Sequence, residues 1–350
     1  MHIHLGYRSK IPDRACASPL NSSHPANKPP RIGLITNPHS RRNRGQLAAV
    51  QAIVANHSNI HHQVTQNSGD IQPVLQGFAE QGVDVLAING GDGTTSQVFT
   101  ELFNRKPFTR LPSVILLPGG TTNMNVGDVG LRGSLLNALR RMADWASSGK
   151  GRVQRLSRPI LRVEGSLDGI TRYGMSFGAG TVIRGIEYCH SSVHTMGIKN
   201  ELGPGLVTLR TIWGMARKEP YFSEPTLIRI EIDGVPDPLV REVVLITINS
   251  LQRLFLGIKP HWGSEDAPLY CTWVQKPARK VFRAFFAVLR GKPNRHVTPE
   301  NGYFSHNVQK IQLWLDGTFA LDGELYHASK EQGPATVSSG GELEFIRIGK

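Results

Sequence analysis

The feature that most constrains this chain is a regular alternation, between Arg31 and Gly149, of short apolar runs with longer segments carrying apolar residues at helical spacing. RIGLIT (31–36), HHQVT (61–65), VDVLAIN (83–89) and SVILLP (113–118) read as strands. QLAAVQAIVANH (46–57), IQPVLQGFAEQG (71–82), TTSQVFTELFN (94–104) and SLLNALRRMADWASSG (134–149) read as helices. Strand, helix and strand in succession imply a parallel sheet with helices on its faces. Ligands of such sheets gather at the carboxyl ends of the strands, and three loops that leave those ends, 37–45, 90–95 and 119–125, are built largely from Gly, Asn, Ser and Thr.

From about Arg152 the pattern changes. VQRLSRPILRVEG (153–165), ITRYGMSFGAG (170–180), PTLIRIEIDG (225–234), VREVVLITINS (240–250), KIQLWLDGTFALDG (310–323) and ELEFIRIG (342–349) are alternating or β-branched runs broken by Gly, Pro and Asp, which predicts a mostly antiparallel second part. The DG pairs at 168–169 and 233–234 read as hairpin turns. With 350 residues the chain exceeds the usual size of one domain. The division expected is a disordered tail over 1–30, an α/β domain over 31–151 and a β-sandwich over 152–350, whose last strand is left free to return to the first domain. One helical insert, ARKVFRAFFAVLRG (278–291), sets Phe282, Phe285 and Phe286 beside Arg279, Lys280, Arg283 and Arg290. It has two readings, a helix whose phenylalanines pack on the sandwich, which is preferred, or one that dips them into an anionic bilayer surface.

Lys and Arg outnumber Asp and Glu by 40 to 27, a formal charge of +13 that favours anionic partners. Helix-turn-helix, zinc-finger and RNP signatures are missing, so nucleic acid is not the expected partner. No run reaches the roughly 18 to 20 apolar residues of a membrane span, and the first 30 residues lack the apolar core of a secretory signal, so the cytoplasm is the simplest address. Cys16, Cys189 and Cys271 stand singly, and the histidines at 2, 4, 61 and 62 have no partner at ligand spacing, which argues against a disulfide framework or a zinc site.

Glycines let a backbone approach phosphate oxygens closely, and N–H groups at a helix N-terminus are oriented anion donors. The three loops therefore predict phosphate binding. Neither GxxxxGK nor GxGxxG occurs, so the solution differs from the P-loop and the dinucleotide fingerprint.

NPHS (37–40), GGDGT (90–94), PGGTTN (118–123) and a distant DGE (322–324) together resemble the diacylglycerol kinase catalytic-domain family. That family includes soluble bacterial lipid kinases, sphingosine kinases and ceramide kinase, with NAD kinases and phosphofructokinases as more distant relatives. The resemblance implies a nucleotide-binding α/β domain, a β-sandwich lipid-substrate domain, and ATP- and Mg2+-dependent phosphorylation of a lipid hydroxyl, diacylglycerol or a related long-chain alcohol, in the cleft between them. Carried over by motif, Asn37 and Ser40 lie in the first nucleotide loop and Thr65 at the second strand end. Gly90, Gly91, Asp92, Gly93 and Thr94 surround the phosphates, and Thr121 and Asn123 complete the floor. Glu324 matches the catalytic glutamate and Asp322 its acidic neighbour; Asp92 either organises Mg2+ or is itself the base. A kinase of a soluble alcohol, as in NAD kinases, and a non-catalytic nucleotide-binding relative stay open as alternatives.

The chain departs from the family pattern at three places. Met124 stands where the GTxND loop has Asp, so either Asp128 replaces that carboxylate, Asp322 and Asp92 suffice, or catalysis is weakened. Arg41 replaces a common glycine in the basic SRRNRG stretch, and the acidic-glycine pair expected after IKPHWG is missing, with only Glu265 and Asp266 nearby. A structural metal in the second domain is therefore an open question.

Overall fold

The computed structural model describes residues 29–149, 151–186, 214, 217, 219–254 and 257–349. Its first part runs β1 (Ile32–Thr36), α1 (Leu47–Val54), β2 (Ile60–Val64), α2 (Ile71–Glu80), β3 (Val85–Gly90), α3 (Asp92–Arg105), β4 (Ser113–Pro118), α4 (Met124–Val129) and α5 (Leu135–Ser148). Strands β2, β1, β3 and β4 lie side by side and parallel, as the alternation predicts. All six residues of β3 are buried, because helices cover both faces of the sheet. One core joins α1 and α5 to the sheet through Val50, Leu139 and Met142; another joins α2 and α3 through Leu75, Phe78, Val98 and Phe99.

The antiparallel part contains β5 (Val153–Glu164), β6 (Arg172–Gly174), β7 (Ser176–Gly180), β8 (Thr226–Ile232), β9 (Val235–Asn249), β10 (Leu269–Gln275), α6 (Val281–Leu289), β11 (Tyr303–Val308), β12 (Lys310–Trp314), β13 (Gly317–Leu321), β14 (Glu324–Ala328) and β15 (Ala335–Ile348). Its strands enclose a separate core of Phe177, Ile230, Ile248, Leu313 and Phe319. Strand β15 pairs along most of its length with β5, pairs with β12 at its start, and lies parallel to β4 through Phe345 and Val114. The last strand thus stitches the antiparallel strands onto the edge of the parallel sheet.

The DG pair at 233–234 is a two-residue hairpin turn joining β8 to β9, both residues having positive φ (51° and 79°). Strands β10 and β11 escape the sequence reading because their pairing brings polar residues, Thr272 and Ser305, into the interior, where their hydroxyls bond each other at 3.0 Å. Helix α4 escapes it too, since MNVGDV has only six residues and no apolar period. Helix α6 corrects the preferred packing of its phenylalanines: Ala284 is buried, Ala287 and Val288 pack against Val274 and Tyr303, but Phe282 and Phe286 are 58% and 62% exposed. Among the described residues no helix is long and apolar enough to cross a membrane.

Candidate active site

The three small-residue loops meet over the carboxyl ends of β1, β3 and β4. The Asn37 amide donates to the Thr94 hydroxyl at 2.9 Å, tying the first loop to the GGDGT turn. Asn43, buried beneath it, donates to the carbonyls of Asn37 (2.6 Å) and Asn89 (3.0 Å). The second and third loops press backbone on backbone: a Cβ on Gly120 would lie 2.6 Å from the Gly91 Cα, and one on Gly119 would lie 2.9 Å from the Gly90 nitrogen. No side chain fits at either position. Asn123, in the left-handed region at φ 49°, clasps Gly120 by accepting its N–H (2.9 Å) and donating to its carbonyl (2.8 Å).

Asp92 is the first residue of α3, so GGDGT is partly helix rather than wholly loop, and Gly91 is its N-cap. The carboxylate accepts the N–H groups of Met124 and Asn125, each at 3.0 Å, and so caps the start of α4. Met124 therefore keeps the backbone bond of its position while its side chain joins the apolar cluster around α2 and α3.

Asp322 and Gly323, with φ of 49° and 88°, form a two-residue turn that sets Glu324 opposite Leu321 at the start of β14. The buried Asp322 carboxylate accepts the N–H groups of Met175 (3.1 Å) and Ser176 (3.0 Å), and its own N–H donates to the Ser176 carbonyl at 2.8 Å. The turn is thereby locked to the β6–β7 junction. Its outcome is the contact that matters most: a Cβ on Gly93 would lie 2.3 Å from Glu324 Oε1, so the carboxylate rests against the glycine turn, 231 residues away along the chain.

Burial raises the Asp92 pKa, against the two N–H bonds from α4. Asp322 is pushed well above the usual carboxylate range, by burial first and by the charge of Asp92 second, while Met175, Asn125 and Ser176 pull the other way. The Asp92 charge is therefore felt by Asp322, while backbone N–H groups hold both carboxylates in place.

The remaining expected residues are distributed around this centre. Ser40 lies in the turn of the first loop, where its carbonyl accepts the Asn43 N–H at 2.9 Å. Thr65 is buried, its N–H on the Thr36 carbonyl at 3.0 Å, and Thr121 lines a cavity beside α4. Asp128 is buried in an ion pair with Arg158 at 3.0 Å and accepts the Gln252 N–H. Glu265 bonds His306 (2.7 Å) and the Asn307 N–H (2.8 Å) within a loop clasp, and no cluster of metal-ligating residues occurs among the described residues. Cys271 is buried, with its thiol pKa raised by burial; Cys16 and Cys189 lie outside the described residues. Asn43 and Asn89 are the site residues that sequence reasoning missed. Asn89 had a signal, since a buried polar residue closes an otherwise apolar strand.

Burial, with the nearby charge of Lys259, holds His261 neutral, its pKa down to about 4. Protonation then favours the unfolded chain between that value and the ordinary one near 6.5, so stability is full above pH 6.5 and is lost on acidification. We expect urea midpoints to fall between pH 6.5 and 4 by the equivalent of roughly 3 kcal/mol, and His261→Asn to remove most of that slope. An unchanged slope in the variant would refute the assignment.

With this geometry in view, residues 31–150 match the family model of the diacylglycerol kinase catalytic domain. A protein named "Probable lipid kinase YegS-like" from Enterobacter sp. (strain 638) is 32% identical over 111 residues, 32% of this chain and 37% of that protein. One of the same name from Stenotrophomonas maltophilia (strain K279a) is 36% identical over 95 residues, 27% of this chain and 31% of that protein. These matches span about a third of each relative's length. A crystal structure of a diacylglycerol kinase from Bacillus anthracis str. Sterne covers 91% of this chain and 97% of its own, with a TM-score of 0.56 at 19% identity. The resemblance carried by the motifs is thus met again in a family model, in curated relatives and, for the fold, in a solved structure.

Proposed function

We propose that the chain is an ATP-dependent lipid kinase that phosphorylates the hydroxyl of diacylglycerol or a related long-chain alcohol. The observation that supports this reading is the exposed Glu324 carboxylate resting on the Gly93 turn, beside the glycine loops. The glycine loops and the N-terminus of α3 would hold the polyphosphate, with Asn37 and Asn123 fixing the loops to one another. Glu324 would accept the hydroxyl proton; an alcohol releases its proton late, so the carboxylate mainly aims the oxygen. Asp92 would organise Mg2+ through water, an ion that when bound neutralises charge on the transferred phosphoryl group.

The test is transfer of label from the γ-phosphate of ATP to extracted lipids in the presence of Mg2+, followed by mass spectrometry of the product. Label on a lipid phosphate is the expected result. Label on a soluble metabolite would favour the soluble-alcohol kinase, and a thermal shift with ATP but no turnover in any extract would favour the non-catalytic relative.

A peripheral membrane contact, from the cytoplasmic side, fits the same function. Helix α6 exposes Phe282 and Phe286 beside Lys280, Arg283 and Arg290, and no acidic residue occurs between Asp266 and Glu300. Aromatic side chains flanked by cations suit the interface of an anionic bilayer. Burying two half-exposed phenylalanines contributes about 2 kcal/mol or more. Phe282→Asp with Phe286→Asp should therefore weaken sedimentation with phosphatidylglycerol vesicles at least tenfold, leaving turnover on detergent-dispersed lipid intact. Undiminished vesicle binding would rule this surface out.

A further inference from the structure

Glu324 has a neighbour that the motifs do not include. Positions two apart on a strand project to the same face, so Tyr326 stands beside Glu324 on β14, about 7 Å along it. Opposite the pair on β13 are Leu321 and Phe319, and the half-buried Tyr326 ring lies 5.7 Å from that of the buried Phe319. The ring also carries a cation, the Arg172 guanidinium, 4.0 Å over its centre.

Arg172 is itself fixed. Its side chain is 12% exposed and forks onto Asp168, one nitrogen bonding Oδ1 at 2.9 Å and the other Oδ2, while Ser166 Oγ accepts at 2.8 Å. The turn that holds Asp168 is tied to β14, the outer strand of its sheet, by the Leu167 N–H on the His327 carbonyl at 2.8 Å. The next residue of β6, Tyr173, binds the strand to α3: its ring stacks on Phe103 at 4.8 Å and its carbonyl accepts the Ser96 hydroxyl at 2.8 Å. Arg172 and Tyr326 thus span the seam between the helix that begins at Asp92 and the strand that begins at Glu324.

The ring accounts for this packing, but the hydroxyl does not enter it. Phenylalanine would fill the same space on Phe319 and take the same cation. Burial raises the phenol pKa, Arg172 pulls it down, and Glu324 and Asp322 push it up, so the phenol keeps its proton. Arg172, the polar group laid against it, has only donors, and buried tyrosine hydroxyls usually find a partner. The proton is left for an acceptor brought by a ligand, within the span that one glycerol unit and its ester groups cover from Glu324.

We propose that Tyr326 is a specificity residue for the acceptor lipid: its O–H donates to an acyl carbonyl oxygen of the alcohol whose hydroxyl Glu324 receives, which selects an acylated alcohol over a plain or ether-linked one. The proposal rests on the lipid-kinase reading and deepens it. Its test is a binding measurement, so the two can fail separately.

Calorimetry with dihexanoylglycerol and its ether analogue dihexylglycerol, which lacks only the carbonyl oxygens, makes that test. The expected result is ester binding about tenfold tighter than ether binding in the native chain, the scale of one hydrogen bond, and nearly equal binding in Tyr326→Phe because the ester alone has weakened. ATP affinity and melting temperature should not move, since phenylalanine keeps the contacts with Phe319 and Arg172. Equal affinities in the native chain, a preference that survives Tyr326→Phe, or no binding of dihexanoylglycerol would overturn the proposal. An ester preference that the variant loses, in a native chain that transfers no phosphate to lipid, would leave it standing and count against the kinase reading instead.

Discussion

Glu324→Gln is expected to slow phosphoryl transfer by roughly two to four orders of magnitude, the range for removing a positioned general base, while leaving fold and ATP affinity nearly unchanged. Glutamine keeps the size of the side chain and its place at the start of β14 but cannot take a proton. Because the Glu324 side chain is exposed and makes no side-chain hydrogen bond among the described residues, little stability is at stake. Asp92→Asn is the informative contrast. Both Asp92 oxygens already accept N–H groups of α4, so this change weakens a helix cap, worth about 1 kcal/mol, together with the anion cradle. A loss of rate with unchanged melting temperature for Glu324→Gln, and a loss of both for Asp92→Asn, would assign the base to Glu324. Near-normal turnover in Glu324→Gln would transfer that role to Asp92.

The division of labour between these carboxylates explains what could be read from sequence. GGDGT and PGGTTN are legible because Gly91, Gly119 and Gly120 answer one demand, a strand end meeting another loop at backbone distance. The DGE motif is legible as a turn for a similar reason: Asp322 and Gly323 tolerate the positive φ of a two-residue hairpin. What no local pattern encodes is where the turn goes. Asp322 finds Met175 and Ser176, more than 140 residues earlier, and that bond, with the pairing of β13 on β7, carries Glu324 to Gly93. Asn43 was opaque because it works through its amide on two backbone carbonyls, a role that leaves no spacing to detect. Phe282 and Phe286 defeated the periodicity argument because it reports that a helix has an apolar face, not whether protein or another medium covers it.

Gly93→Ala is the second variant with a large expected effect, and it examines the same contact from the opposite side. The new Cβ would lie 2.3 Å from Glu324 Oε1 and 3.0 Å from its Cδ and Cγ, distances that cannot persist. Gly93 is helical and has no positive φ, so the backbone accepts alanine; the flexible Glu324 side chain must move instead. Folding should cost little, because the displaced group is a solvent-exposed chain end and alanine favours a helix over glycine. Turnover, which needs the carboxylate within hydrogen-bond reach of the acceptor hydroxyl, should fall by roughly a hundredfold or more. Gly77→Ala is the control: the site lies in α2 with open space around it, and the same exchange there should raise stability by about 0.5–1 kcal/mol without touching activity. Were Gly93→Ala to retain full turnover, the base could not be acting from the position it holds against that turn, and the crevice between β14 and α3 would lose its claim to be where phosphate is transferred.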